Sequence, residues 1–595
     1  MLHRILEQQL RLAVAGILPD ANPEVIQVRP CPDPKFGDYQ SASLISLAKE
    51  RKLNPRQLAT EVLAKLEVGQ WCKQVEIAGA GFLNFRLKIS ALAEMLQEAA
   101  RGKHLFFEPA AKPRMVVLDF SSPNIAKPMH VGHIRSTILG DCLARTLRLL
   151  GHQVITDNHV GDWGTQFGKL LIGWKRDLHP EALQQDPIAE MERLYKKINA
   201  ACESDPALLE QARQELVKLQ KGDPENLGIW REMVALSEAQ FEAIYNRLEV
   251  KFDFVLGESF YNPKLEGIVQ ELIQKGIARE SEGAICVFSD GTLPPKHDPF
   301  LKQENGEWKP NPSLIRKRDG GFNYTTTDLA TLAHRMETWQ PDEIIYVTGA
   351  PQQLHFQQLF TIFRRWHPEA KVKLAHVWFG SILGDDGKPF KTRAGETIRL
   401  SELLAEAEER AFAVVTEKSP ELSEDQRRRI GSVVGIGAVK YADLLPNRQS
   451  DYIFNWERML ALNGNTAPYL QYAYTRIQSI FRKGALKEGS AESLEAASGT
   501  QPTAILLGSL EEQALAKHLL NFGLVLEAVT EEYRPNYLCN YLYELAGRFT
   551  RFYENCPVLK AAPAERASRL VLCELTGRVL REGLERLGLR TLEQM

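Results

Sequence analysis

The sequence predicts an α/β protein. It has an open parallel sheet with a ligand site at the carboxyl ends of its strands, a helical insertion, a small α/β unit ahead of the sheet and an all-helical unit behind it. Three observations carry this. A short apolar run, Met115–Leu118, meets the turn cluster Ser121-Ser122-Pro123-Asn124, after which Ile134, Ile138, Leu139 and Leu143 fall on one helical face. Apolar runs of that length between turn signals read as strands buried in a parallel sheet, and the change of period marks the helix that follows. A further strand reads at Val154–Thr156, and Ile344–Val347 leads through Gly349-Ala350-Pro351 into a second βα unit. Residues 181–260 and 461–595 are dominated by helical periods.

Composition narrows the class. At 595 residues the chain exceeds what one domain usually holds. Its 44% hydrophobic and 25% charged residues are ordinary for a globular protein. A net charge of −3 does not advertise nucleic acid, but a local basic face can be offset elsewhere. Cysteines at 31, 72, 142, 202, 286, 539, 556 and 573 form no C-x-x-C pair, so no protein metal site is expected, and a reducing cytoplasm is. The amphipathic start MLHRILEQQLRLAVAGIL does not read as a signal peptide, and no apolar run approaches the ~18 residues of a membrane span.

In chain order, residues 1–110 read as the small α/β unit. A helix spans Leu2–Leu18, Pro32, Pro34 and Gly37 break the chain, further helices start near Ser41 and Pro55, and IAGAGFLNFRL reads as one strand. After a linker at Pro109–Pro113, residues 113–380 hold the sheet, with Gly151 ending the first helix and Asp162 placed to cap the next. The charged stretch at about 181–260 is a helical insertion with a solvated face. Residues 381–460 hold a glycine-rich basic loop and connecting helices, and residues 461–595 the helical unit, interrupted at about 484–510 by Gly, Ser, Ala and Glu.

Two imidazoles, His130 and His133, stand where the first strand hands over to its helix. In open α/β sheets ligands bind at that edge, and a helix N-terminus with free N–H groups suits phosphate. Gly132 leaves room for a flat ring against the backbone, and both imidazoles can donate to phosphate oxygens. The whole string PNIAKPMHVGH, with Asn124 and Lys127 ahead of the histidines and Arg135-Ser136-Thr137 behind, resembles the HIGH signature of class I aminoacyl-tRNA synthetases in its arginyl-tRNA synthetase form. FGDYQ and GAGFLNFRL resemble that family's amino-terminal domain, NHVGDWGTQFG its second segment and YTTTDLA its Tyr-x-Thr-x-Asp-Leu-Ala segment. PYLQYAYTRI and LYELAGRFTRFYE resemble its helical anticodon-binding domain. Where the second signature, KMSKS, belongs, GKPFKTRAG keeps the lysine spacing at Lys388 and Lys391 but not the small polar residues between, a variant common in the family.

The resemblance implies a Rossmann-like catalytic domain and the ATP-dependent attachment of L-arginine to tRNA(Arg) through arginyl-adenylate. It implies ATP with Mg²⁺ and a monomer, with tRNA needed even for the first step. It implies catalysis by His130, His133, Lys127 and Lys391, and ATP held by His130, Gly132, His133, Lys388 and Lys391. The guanidinium falls to Asp119, Tyr324 and Asp328, and the α-amino end to Asn124 and Gln352; His159, Gln166 and His355 form a second tier. Tyr39 in the first unit and Tyr537, Tyr541, Arg548 and Arg551 in the last are the candidate tRNA contacts, with fewer than half of the aromatics expected to touch RNA.

A planar fork of five donors suits paired carboxylates, and lysine or citrulline leaves them unpaired. No editing domain is needed, and the insertion is shorter than those of editing synthetases. Two other readings stay open: a non-catalytic tRNA-binding paralogue, favoured by the altered lysine loop, and a different ligase-type nucleotidyltransferase that turns over without tRNA.

Overall fold

The computed structural model describes residues 1–390, 398–484 and 505–595. Lys391 and most of the predicted 484–510 interruption lie outside the described residues.

The central sheet has five strands, all parallel, in the order Lys373–His376, Glu343–Val347, Met115–Phe120, Gln153–Asn158, Phe254–Val255. Chain order reverses between Glu343–Val347 and Met115–Phe120, and the crevice at such a switch point is where ligands bind. The strands run further than the apolar runs suggested. Asp119, Asp157 and Asn158 belong to them and are buried at the carboxyl edge. Polar strand ends are invisible to a reading that follows hydrophobic runs, and they are what a site is built from.

The helix Val131–Leu149 lies so close to the first strand that a Cβ on Gly140 would come within 2.2 Å of the Phe120 ring. Its apolar stripe covers one face, yet nearly the whole helix is buried, because Glu424–Leu444, Phe522–Glu532 and Pro563–Arg586 press on the remaining faces. The polar residues there are paired: Arg135 with Asp443 at 3.0 Å, and the Ser136 hydroxyl donating to the Val347 carbonyl at 2.5 Å.

The insertion is four helices, Pro180–Gln185, Pro187–Ser204, Pro206–Gln220 and Pro224–Leu248. Each opens with proline, and Asp186, Asp205 and Asp223 cap the last three by accepting backbone N–H groups. Between the insertion and the second half of the sheet stand short antiparallel strands, Ala278–Ser281, Ala284–Val287 and Ser313–Arg316, and a hairpin of Leu301–Glu304 with Glu307–Pro310. The hairpin is exposed and charged, without a clear alternation, and the sequence reading passed over the region.

The first unit has an antiparallel sheet in the order Arg29–Pro30, Tyr39–Ser41, Phe82–Leu87, Cys72–Ala78. IAGAGFLNFRL is therefore two arms of a hairpin, not one strand: Gly79 and Gly81, at φ +51° and +133°, turn the chain. The last unit packs Ala467–Lys483, Leu510–Leu519, Phe522–Glu532, Asn536–Asn555 and Pro563–Arg586. No helix among the described residues is long and apolar enough to cross a membrane.

Candidate active site

Between the first strand and its helix, Ser121, Ser122 and Ala126 adopt φ of +75°, +47° and +61°. Left-handed conformations at residues other than glycine cost of order 1–3 kcal/mol each and persist only where the surroundings enforce them. Here three N–H groups are held: Ser121 by Ser136 Oγ at 2.8 Å, Ser122 by Asn158 Oδ1 at 3.0 Å, and Ala126 by Ser237 Oγ at 3.0 Å.

His130 caps the helix that follows. Its Nδ1 accepts the Gly132 N–H at 3.1 Å, and Nδ1 of His133 accepts the His130 N–H at 3.1 Å. A nitrogen that accepts carries no proton, so each neutral ring bears its proton on Nε2. Burial lowers the pKa of both rings, that of His133 to about 3; for His130 the nearby Lys127 adds to the effect. The pair is neutral at pH 7 and presents two Nε2–H donors at a helix N-terminus, with ring centroids 4.0 Å apart. A Cβ at position 132 would sit 2.9 Å from His130 Cε1, so the flat ring that Gly132 admits is that of His130 itself.

The acidic side is built across the same sheet edge. Asp119 pairs in register with Tyr346 on one neighbouring strand and Asp157 on the other. Its Oδ2 accepts from Arg335 at 2.7 Å and its Oδ1 from the Ser122 hydroxyl at 3.1 Å. Asp119, expected as a ligand of the substrate guanidinium, is thus buried with an internal guanidinium already on one oxygen. Asp328 lies in the second turn of Tyr324–Trp339, whose N-cap is Asn323, so it does not cap that helix. Its Oδ2 is 2.6 Å from His355 Nε2, and the exposed Tyr324 ring stands edge-on to His355 at 4.7 Å. Asp162 does not cap the helix after it either; its carboxylate accepts the Ser259 N–H at 2.8 Å and hydroxyl at 2.5 Å. His159 Nδ1 is 3.0 Å from the Leu256 carbonyl.

Asn124 and Gln352 are exposed at the mouth, Gln352 at the start of Gln353–Trp366. Lys127 is exposed and leans toward the insertion, its ammonium 5.8 Å from the Tyr195 ring. Lys388 sits exposed on a tight hairpin closed by Phe390 N–H to Ile382 O at 3.1 Å, and Phe390 stacks on Phe454. Past residue 397 the chain returns to the histidines: Val131 N–H donates to Ile398 O at 3.0 Å, and Leu400 N–H to Met129 O at 2.9 Å. Backbone just past the second signature is therefore tied to the first.

The candidate tRNA contacts divide. Tyr39 is 2% exposed and donates to Asn521 Oδ1 at 2.9 Å, sealing the first unit against the last. Tyr541 is 5% exposed, stacks on His518 at 4.5 Å and donates to its carbonyl. Neither ring has a face for a base, which corrects both expectations: each is an aromatic at core spacing. Arg551 is exposed, Arg548 and Tyr537 are half-buried, and Tyr537 donates to Glu532 at 2.7 Å.

Sequence reasoning missed Glu258, Arg335 and Tyr346. Burial pushes Glu258 up to about 7, with His159 opposing and Asp328 and Asp162 adding to the rise. It follows the two-residue edge strand Phe254–Val255, which was absorbed into the helical insertion; the GES string after an apolar pair was the available signal.

Three family models match the chain in order: the N-terminal domain of arginyl-tRNA synthetase over residues 2–87, the catalytic domain of class I synthetases for arginine over 95–456, and the DALR anticodon-binding domain over 470–595. An arginine–tRNA ligase of Chromobacterium violaceum is 46% identical over all of both chains, and one of Citrobacter koseri is 45% identical over 98% of each. The fold matches the arginyl-tRNA synthetase of Plasmodium falciparum with a TM-score of 0.81 at 27% identity, over 100% of this chain and 99% of that one. That of Thermus thermophilus also gives 0.81, at 24% identity over 100% of both. A neutral imidazole pair at a helix N-terminus, carboxylates across the sheet edge from it, and a match that runs the length of the chain agree: this chain belongs to the arginyl-tRNA synthetase family of the class I aminoacyl-tRNA synthetases.

Proposed function

We propose that this chain, a monomer of the cytoplasm, joins L-arginine to tRNA(Arg) through arginyl-adenylate, with His130 and His133 serving the ATP phosphates and Asp119, Asp328 and Tyr324 the guanidinium. The single observation that carries the reading is the tautomer of the two imidazoles. Because both Nδ1 atoms accept backbone N–H groups, both Nε2–H groups are left to donate, without rearrangement, to oxygens that gain charge. The family membership makes the overall reaction arginine-dependent tRNA charging in translation.

Adenylate formation is an in-line displacement. An oxygen of the arginine carboxylate forms a bond to the α-phosphorus, the bond to the bridging oxygen of the β-phosphate breaks, and pyrophosphate leaves with its Mg²⁺. Mg²⁺ enters as MgATP, held by phosphate oxygens and water. No protein nucleophile takes part; the site positions the reactants and meets developing charge. Gln352 and Asn124, exposed at the mouth, suit the α-amino end. Lys388 and, outside the described residues, Lys391 suit departing pyrophosphate, with Gly384 and Gly387 just ahead of them in the sequence. A terminal ribose hydroxyl of the tRNA then attacks the arginyl carbonyl, and AMP leaves. Of the tRNA contacts, Arg551, Arg548 and Tyr537 stay as candidates on the helical unit.

All eight cysteines are free and seven are buried, which fits a reducing compartment. Charging a mixed tRNA pool with each of the twenty amino acids in turn tests the assignment. Arginine alone should be attached, and ATP–pyrophosphate exchange should require both arginine and tRNA. Exchange without tRNA, or transfer of another amino acid, would overturn it.

A further inference from the structure

Beneath the arginine site lies a cation that no part of the reaction uses. Arg335 is fully buried, and its Nη2 donates to Asp119 Oδ2 and to Asp157 Oδ2, each at 2.7 Å. Its guanidinium stands 5.3 Å from the centre of the Tyr346 ring. The arrangement follows from two periodicities. Tyr346, Asp119 and Asp157 are register partners on three adjacent parallel strands, so they point to one face of the sheet. Tyr324, Asp328 and Arg335 are spaced by four and seven on one helix, so they descend along one face from the exposed mouth to the buried floor.

Two carboxylates facing one nitrogen in a dry space are stable only while the cation stays. Remove it, and like charges this close share a proton instead of both ionising. Asp157 already feels this: burial, with Asp119 adding, pushes its carboxyl up, while Arg335 pulls it down. Asp119 is the partner that also bonds Ser122 at the edge, through Oδ1.

We infer that Arg335 is a positioning residue for the amino-acid substrate. It ties down Oδ2 of Asp119, bridges it to Asp157, and leaves Oδ1, aligned by Ser122, to receive the guanidinium of arginine. The inference rests on the reading of Asp119 as a guanidinium ligand. One internal guanidinium thereby sets the geometry by which a second, free one is recognised. Lysine at 335 keeps a single charged nitrogen for the two carboxylates to face, but on a flexible stem without the rigid guanidinium plane.

The test is steady-state aminoacylation of tRNA by the full chain, with KM for arginine and KM for ATP measured separately, alongside melting temperature. Arg335→Ala should raise the arginine KM by about tenfold or more while leaving the ATP KM in place. Arg335→Lys should recover part of the loss, as should R335A combined with D157N, which removes the repelling neighbour. Where R335A does not fold, R335K and the double variant carry the test. A wild-type arginine KM in every variant that folds, with only the melting temperature lowered, would reduce Arg335 to a structural residue and overturn the inference. Asp119→Asn separates the two layers. If D119N leaves the arginine KM unchanged, the underlying reading fails. If D119N raises it and the Arg335 variants do not, the inference alone fails.

Discussion

On the phosphate side of the cleft, His130 and His133 are covered with backbone N–H groups against their Nδ1 atoms and no counter-charge. On the guanidinium side, Asp119 is covered against Arg335, and Asp328 stands against His355. Burial removes charge from the first pair, because nothing repays the desolvation of an imidazolium, whereas a paired carboxylate can remain ionised. On the proposed roles, ATP oxygens would meet neutral donors and the substrate cation the carboxylates. The two sides differ because their buried partners differ, so they should fail separately when altered.

The sharpest separation comes from His133→Ala. Loss of a preorganised donor to the phosphate should lower arginine- and tRNA-dependent ATP–pyrophosphate exchange by roughly 10²–10³-fold, with tRNA affinity and arginine KM little changed. Residual exchange within tenfold of wild type would mean the pair is a helix cap and nothing more. Asp328→Asn addresses the other side. A hydrogen bond to a charged group is lost without loss of shape, so the arginine KM should rise by about 10–100-fold at constant ATP KM. If both constants rose together in D328N, the two sides would be one coupled unit and the contrast would dissolve.

Acid probes the same contrast through stability. The folded-state pKa of His133 is about 3 against 6.5 for the free ring, and burial likewise holds His376 and His518 at about 4. Between those values and 6.5 the unfolded chain binds more protons than the folded one. Stability is therefore complete above pH 6.5 and is lost as pH falls through that window. For His133 alone the loss at pH 5 is about 2 kcal/mol. Urea titrations should find H133A less sensitive to acid than wild type by that amount, and equal slopes would show that the ring is not held neutral.

The phosphate side was legible in the sequence because its parts are contiguous: strand, turn, two histidines and the glycine between them lie within residues 115–133. The guanidinium side was only half legible. Tyr324 and Asp328 stand on one helical face and could be paired by spacing, but Arg335 and Asp157 meet Asp119 across two strands and a helix, and only strand register and packing reveal that. Glu258 was hidden by the shortness of its strand. Among the aromatics, helical spacing gave no way to tell Tyr541, packed on His518, from half-buried Tyr537, because period reports the face and not what covers it. Three of the five strands follow from the βα units, while the edge strands Lys373–His376 and Phe254–Val255 and the short strands of residues 278–316 left almost no period to read.

Glu258 gives the smallest effect and the finest distinction, because it sits on the anionic side without a cation of its own. Burial raises it to about 7, and Asp328 and Asp162 push in the same direction against His159. Its charge is unsettled at neutral pH. Its folded pKa lies above the unfolded 4.5, so the folded chain holds the extra proton and its contribution to stability is lost as pH rises from 4.5 through about 7. Function should move the other way. As pH rises through 7, Glu258 ionises while the substrate guanidinium stays charged, and the arginine KM should fall by roughly threefold to tenfold at constant ATP KM. In Glu258→Gln that slope should vanish. The bound cation should also draw the proton off, so that arginine binding at pH 7 releases a fraction of a proton in wild type and none in E258Q; calorimetry in two buffers of different ionisation enthalpy reads this directly. A flat arginine KM in wild type would place Glu258 outside the reach of the guanidinium and leave the anionic side to Asp119 and Asp328.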